Sequence, residues 1–336
     1  MSFWRHLTRP PWRTLGLLIG ILGVLGLGFL LWSPGKTVWD GRHDLGSNGL
    51  WLQHGWLGDD SWFERNQRDK TRFRDPEKVQ VLSHRLNTHG IQYVFPHACP
   101  TDSSGRISPV DPVQTELFLD HIGEVKVLPW IGGVLQVHCF PSSPEWRATF
   151  ISSAVDLLVA HPRLAGLHLN IEPLPTGTPD FLLLLDELRK ALPEGALLSV
   201  AAYPPPTRWH PFPEVHWEEQ YFRQVAKRVD QLVPMMYDTS LKWPKVYQQL
   251  LASWTSDVLE WSGDTQVLLG IPAYEDEGVG YHVPEVENLE NALKGIHAGL
   301  SRYASLPQHY AGIAMYSEWV MDEEEWGLLR EEFLAR

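Results

Sequence analysis

The stretch Gly166-Leu-His-Leu-Asn-Ile-Glu-Pro173 is the key to the fold of this chain. Side chains of an extended strand point alternately to its two faces. Leu167, Leu169 and Ile171 therefore share one face, and His168, Asn170 and Glu172 share the other. Apolar residues at helical spacing follow over 179–192, and a second apolar run follows at 197–202. The local grammar is strand, helix, strand.

The same unit recurs in both directions. Strand-like runs fall at 48–54, 92–96, 126–131, 166–172, 197–202, 232–237, 266–272 and 312–316. Helical stretches fall at 75–88, 113–122, 145–161, 179–192, 218–229, 245–261, 286–303 and 323–333. Asp75-Pro76 and Ser143-Pro144 are helix starts, a capping oxygen followed by a proline at the first turn. Strict alternation implies parallel strands joined by right-handed crossovers. Eight such units predict an α/β fold of the closed (β/α)8 TIM-barrel type over 48–336. No glycine-rich GxGxxG follows the first strand, which disfavours a dinucleotide-binding sheet.

Residues 15–32 are uncharged and apolar for 18 residues. As a helix this segment is roughly 27 Å long, close to the thickness of a bilayer core. Arg5, Arg9 and Arg13 precede it, so the expected arrangement is a single transmembrane signal anchor. Residues 1–14 would lie in the cytoplasm, 33–47 would be a linker, and the barrel would lie on the periplasmic or extracellular side. A cleaved signal peptide is the rival reading; Phe29-Leu-Leu-Trp-Ser-Pro-Gly35 offers it no small-x-small cleavage site. Outside the cytoplasm Cys99 and Cys139 are a disulfide candidate, with two free buried thiols as the alternative.

Composition narrows the partners. The net charge of the 336 residues is −13, and all three N-terminal charges are positive, so the body is strongly acidic and nucleic acid is excluded as a partner. Two cysteines exclude every four-cysteine zinc motif, and the histidines show no HExxH or HxxxH spacing; neither a metal nor a cofactor is expected. Sixteen tryptophans stand out, because a broad apolar face with one N–H suits sugar rings as well as cores.

In such barrels, chemistry gathers where strands end. Glu172 ends the fourth strand; a carboxyl held among aromatics keeps its proton and suits a general acid. Tyr237 and Asp238 end the sixth strand, Tyr274 and Glu275 the seventh, and Tyr316 and Trp319 the eighth. Trp130 ends the third and Tyr203 follows the fifth. With His168, these form a candidate substrate-binding set. The segment 54–62, rich in aromatic and acidic groups, is either a groove wall or a plain surface loop.

Three of these runs carry a resemblance. Ala165-Gly-Leu-His-Leu-Asn-Ile-Glu172 stands in the place of D-G-x-D-x-D-x-E, with the glycine and the final glutamate kept and three aspartates replaced. Met236-Tyr237-Asp238 is similar to M-x-Y-D, and Leu269-Gly-Ile-Pro272 to L-G-I-P. With Tyr316 in place of a frequent tryptophan, the barrel resembles glycoside hydrolase family 18 of the chitinase-like clan. The Asn170-Ile-Glu172 pair is also similar to the Asn-x-Glu of family 85 endo-β-N-acetylglucosaminidases.

The resemblance implies a hydrolase of N-acetylhexosamine-containing oligo- or polysaccharides, working by substrate-assisted retention, which the 15–32 segment would tether to the membrane. Glu172 would be the acid, Asn170 the group that orients the 2-acetamido, Tyr237 its hydrogen-bond donor, and Asp238 a binder of a hydroxyl or of the tyrosine. Two alternatives stand beside it: a two-carboxylate retaining enzyme using Glu172 and Glu275, and an inactive glycan-binding barrel.

Overall fold

The computed structural model describes residues 11–107, 110–274 and 281–335. Its strands are β1 (Asn48–Leu52), β2 (Ile91–Pro96), β3 (Lys126–Val127), β4 (Trp130–Val134), β5 (Gly166–Glu172), β6 (Leu197–Ala202), β7 (Gln231–Pro234), β8 (Gln266–Pro272) and β9 (Tyr310–Tyr316). The helices are α1 (Pro11–Leu31), α2 (Asp60–Arg65), α3 (Pro76–Thr88), α4 (Pro112–His121), α5 (Pro144–Ala160), α6 (Pro179–Ala191), α7 (Glu219–Ala226), α8 (Pro244–Trp261), α9 (Leu289–Leu300) and α10 (Glu323–Glu332). Proline at the first turn starts α3, α4, α5, α6 and α8. Asp75, Asp111 and Ser143 cap three of these through their side-chain oxygens.

All pairings are parallel, in the order β3-β2-β1-β9-β8-β7-β6-β5-β4. The two ends of that order are halves of one stave, so the ring closes. Leu128 N–H donates to Val94 O on β2, Ala98 N–H donates to Trp130 O, and His97 bridges Trp130. On the other side Ala165 and His168 donate to Val127 O and Pro129 O. The third strand is therefore not the single run expected. Pro129 turns its carbonyl toward β5 but has no amide hydrogen to give, and the ladder breaks there.

Closure creates two apolar compartments. One lies between the strands and the helical ring, built from residues such as Leu167, Leu169, Phe150 and Leu184. The other fills the barrel interior with Trp51, Phe95, Leu128, Trp130, Val233 and Leu268.

The two cysteines pack in different apolar clusters. Cys99 belongs to the interior and Cys139 to the outer core, and both are free thiols. Cys99 Sγ lies 3.2 Å from His97 Nε2, and Cys139 Sγ lies 3.8 Å from the Thr101 hydroxyl. Both thiols are free, so the expected Cys99–Cys139 bridge is not formed.

Residues 14–31 of α1 form an apolar helix of spanning length with none of it buried against the barrel. Its last turn meets the barrel at the start of α8. Lys245 Nζ donates to Phe29 O at 3.1 Å and Leu30 O at 2.9 Å, covering carbonyls that the helix end leaves open. The Trp243 ring meets Phe29 edge-on, with centroids 5.8 Å apart. From there the chain runs down the outside of the ring, with Lys36 N–H on Lys294 O and His43 against His297, into β1.

Candidate active site

Residues 166–172 fold as β5, six of the seven residues buried. Close approach of β4 depends on Gly132, paired with Asn170 at φ +122°: a Cβ there would stand 1.9 Å from Asn170 O.

The three inward residues of β5 do different things at different depths. His168 is fully buried in the barrel interior. Its Nε2 accepts from Trp51 Nε1 at 3.2 Å, and its Nδ1 lies 2.9 Å from Ser199 Oγ. Ser199 passes its own hydrogen to Gln231, and Gln231 donates to Gln266. The tryptophan can only donate, so the ring is neutral with its proton on Nδ1; burial pulls its pKa down to about 3. The expectation that His168 binds substrate is thus corrected. The ring lies stacked on Phe95 under the site, with both nitrogens satisfied.

Asn170 is one step nearer the rim. Its amide hydrogen-bonds to Glu172, while its Oδ1 is buried with no partner. Glu172 ends the strand and reaches a cavity of about 480 Å³. Burial drives its carboxyl up to about 7, and the charge of Asp238 adds to this, against hydrogen bonds from Asn170 and Tyr203 that hold it down. A carboxyl with that pKa holds its proton near neutrality, which a general acid requires.

Tyr203, Tyr237 and Asp238 line the same cavity, so the structure brings these three together with Glu172. Burial raises the Tyr237 phenol well above its usual value, keeping it a donor. Its ring stacks on Tyr316 at 5.6 Å and meets Tyr274 edge-on. Trp130 and Trp319 in turn pack edge-on against Tyr316. Trp130, Tyr274, Tyr316 and Trp319 thus form an aromatic cluster against Tyr237. Glu275 lies outside the described residues. The segment 54–62 packs: His54 stacks on Trp62, and Trp56 and Leu57 enter the outer core.

Behind Asp238 lies a group that sequence reading missed. Tyr274 Oη donates to Asp238 Oδ1, and His282 Nδ1 lies 3.2 Å from the same oxygen, with Nε2 3.1 Å from Tyr274 O. Glu287, fully buried, accepts from Thr239 N–H at 2.8 Å, and its other oxygen is unpartnered. Burial pushes the Glu287 carboxyl up to about 7. Burial works against a charged His282, but its bond to Asp238 and the charge of Glu287 prevail and raise its pKa. Ligand atoms of Asp238, His282 and Glu287 lie within 4.8 Å of one another, the one such metal-competent group among the described residues. Each ring nitrogen of His282 already faces an oxygen, so His282 and Tyr274 together clamp Asp238, while the nearby Glu287 carboxyl is repelled by its charge. His210 and His216, 2.9 Å apart, and Phe212 were also missed; they line the cavity from the long β6–α7 loop. The length of that Pro- and His-rich loop on the rim is the signal that points to it.

The profile of "Glycosyl hydrolases family 18" matches residues 100–321. The chain belongs to glycosyl hydrolase family 18. This family 18 member is accordingly a glycoside hydrolase. Among solved structures it is similar to the spore cortex-lytic enzyme SleL of Bacillus cereus, with 12% identity over 85% of this chain and 74% of that one at a TM-score of 0.55. A chitinase of Chromobacterium violaceum gives 13% identity over 85% and 98%, at 0.55. A fungal endo-beta-N-acetylglucosaminidase of family 18 gives 16% over 85% and 96%, at 0.53. At these identities the likeness carries the fold alone. No curated protein matches the chain.

Proposed function

We propose that this family 18 hydrolase cleaves N-acetylhexosaminides by substrate-assisted retention, with Glu172 as acid. The observation that carries this reading is the Glu172 carboxyl, raised to about 7 in the cavity, hydrogen-bonded to Asn170 and near Tyr237. In the first step the 2-acetamido oxygen of the sugar attacks C1. The bond from C1 to the leaving oxygen breaks, and that oxygen takes the Glu172 proton. In the second step Glu172, now a carboxylate, takes a proton from water as the water opens the cyclic intermediate at C1. The unpartnered Oδ1 of Asn170 is a ready acceptor for the acetamido N–H. Tyr237 supplies a neutral donor for the acetamido oxygen, and Asp238, clamped by Tyr274 and His282, a fixed acceptor for a sugar hydroxyl. A neutral amide stabilises the cationic intermediate less than a carboxylate does, so turnover is slow beside an aspartate-bearing site.

The reading includes α1 as a membrane anchor with the barrel outside the cytoplasm, supported by its unburied apolar length and the preceding arginines. The test uses the full chain in detergent with chitooligosaccharides, peptidoglycan fragments and N-glycans. Cleavage of one class, lost by about 10²-fold or more in Glu172→Gln, supports it. Turnover unchanged in Glu172→Gln overturns the assignment of the acid. Recovery of the native protein without α1 overturns the anchor.

A further inference from the structure

The end of α1 is fixed to one pole of the barrel. Lys245 lies in the first turn of α8, and Trp243 immediately precedes that helix. Helices of a parallel barrel begin where strands end, so the first turn of α8 belongs to the catalytic rim. The contacts of Phe29 and Leu30 with Lys245, and of Phe29 with Trp243, therefore place the C-terminal end of the apolar helix beside the mouth of the cavity. The opposite pole, reached by the chain only at His43, is a barrel length away from it.

The two loops nearest that contact, β6–α7 and β7–α8, carry exposed aromatic side chains. Trp243 is 61% exposed and Trp209, on the β6–α7 loop, is 49% exposed. Phe212, 48% exposed, is both on the rim and on the cavity wall. Exposed Arg208 and Lys242 adjoin the two indoles in sequence, with Glu214 and Glu218 as the acidic groups of the β6–α7 loop. Indoles with flanking cations are the side chains that settle at the level of lipid headgroups. The cavity behind them is substantially apolar, with Val134, Pro173, Pro204, Val215 and Met235 on its wall beside the carboxyls.

We infer that the catalytic mouth of the barrel faces the lipid surface, and that its substrate is a lipid-linked N-acetylhexosaminide whose sugar is presented at that surface. This rests on the anchored-hydrolase reading above and adds the orientation and the substrate class. A glycan held in the same plane as the enzyme meets the site at a high effective concentration. The apolar wall accepts the part of the aglycone nearest the sugar.

The full chain in phosphatidylethanolamine–phosphatidylglycerol liposomes tests both parts. Cys99 and Cys139 are buried, so single cysteines introduced as Trp209→Cys, Trp243→Cys, Asp264→Cys and Glu194→Cys are the labelling sites for a polarity-sensitive thiol dye. The first two are on the rim and the last two at the opposite pole. Nitroxide lipids are expected to quench dye at 209 and 243 about threefold more than dye at 264 and 194. Equal quenching, or stronger quenching at 264 and 194, overturns the orientation.

The same liposomes carry a glycolipid with a terminal N-acetylglucosamine, assayed against its water-soluble short-chain analogue. Cleavage of the bilayer-borne form about tenfold faster supports the substrate class. Equal cleavage, or faster cleavage of the soluble form, overturns it. If neither is cleaved, the hydrolase reading fails and takes the substrate class with it, while the dye result still decides the orientation. Failure to float with the liposomes overturns the anchor on which the orientation rests.

Discussion

Burial drives the Glu172 carboxyl up to about 7 against the hydrogen bond it shares with Asn170, two residues earlier on β5. The strand period puts both side chains on the inner face, and the rim position of Glu172 gives it both a cavity and a partner. The acid form is the active form in the first step. The rate should therefore be highest below about pH 7 and fall about tenfold per pH unit above it. In Asn170→Ala the bond that lowers the carboxyl is gone, so this limb moves to higher pH, while kcat falls by about 10²-fold as the acetamido group loses its partner. A limb left in place by the substitution would show that Asn170 does not act on the acid.

Glu287 offers a stability measurement independent of catalysis. Its carboxyl, fully buried, is pushed from an ordinary 4.5 to about 7. The folded state therefore keeps a proton between those values that the unfolded chain releases, and this contribution is present below 4.5 and lost as pH rises through about 7. A shift of that size corresponds to about 3 kcal/mol. Glu287→Gln keeps an acceptor for Thr239 N–H and removes the titration. Urea midpoints measured between pH 5 and pH 8 should thus fall with pH more steeply in the parent than in the variant. Parallel curves would mean that Glu287 titrates normally.

His168→Ala tests the polar chain through the barrel. The substitution removes the acceptor of Trp51 Nε1 and the partner of Ser199, and leaves a cavity against Phe95. Loss of about 3 kcal/mol is expected in denaturant unfolding at constant m-value. A loss under about 0.5 kcal/mol would show that the chain of hydrogen bonds contributes nothing to the fold.

Thiol counting checks the cysteine geometry. Burial raises both thiols, Cys139 to about 12 and Cys99 well above its usual value, so the native protein should not react with a thiol reagent at neutral pH. Without any reductant, the unfolded chain should show two reactive thiols and no mass deficit for a bridge. An unreactive unfolded chain would restore the disulfide that the two free thiols argue against.

The alternation of apolar runs with helical stretches was sufficient to give the barrel, and strand period two was sufficient to place His168, Asn170 and Glu172 on one inner face, because both depend on local spacing. Glu172, Tyr203, Tyr237 and Asp238 could be found from strand ends alone, since parallel closure puts every such end on one rim. What that rule leaves open is depth and lateral distance. His168 lies one layer below the site because the barrel interior is filled before the mouth is reached, and Trp130, Tyr274, Tyr316 and Trp319 pack ring against ring beside Tyr237 because neighbouring staves bring them together. The contacts of His282 with Asp238 and of Glu287 with Thr239 join segments more than 40 residues apart in sequence, and they exist only once the barrel has closed. Local periodicity determines the elements and their faces; the distances that decide protonation, bonding and access arise only when distant segments are packed against one another.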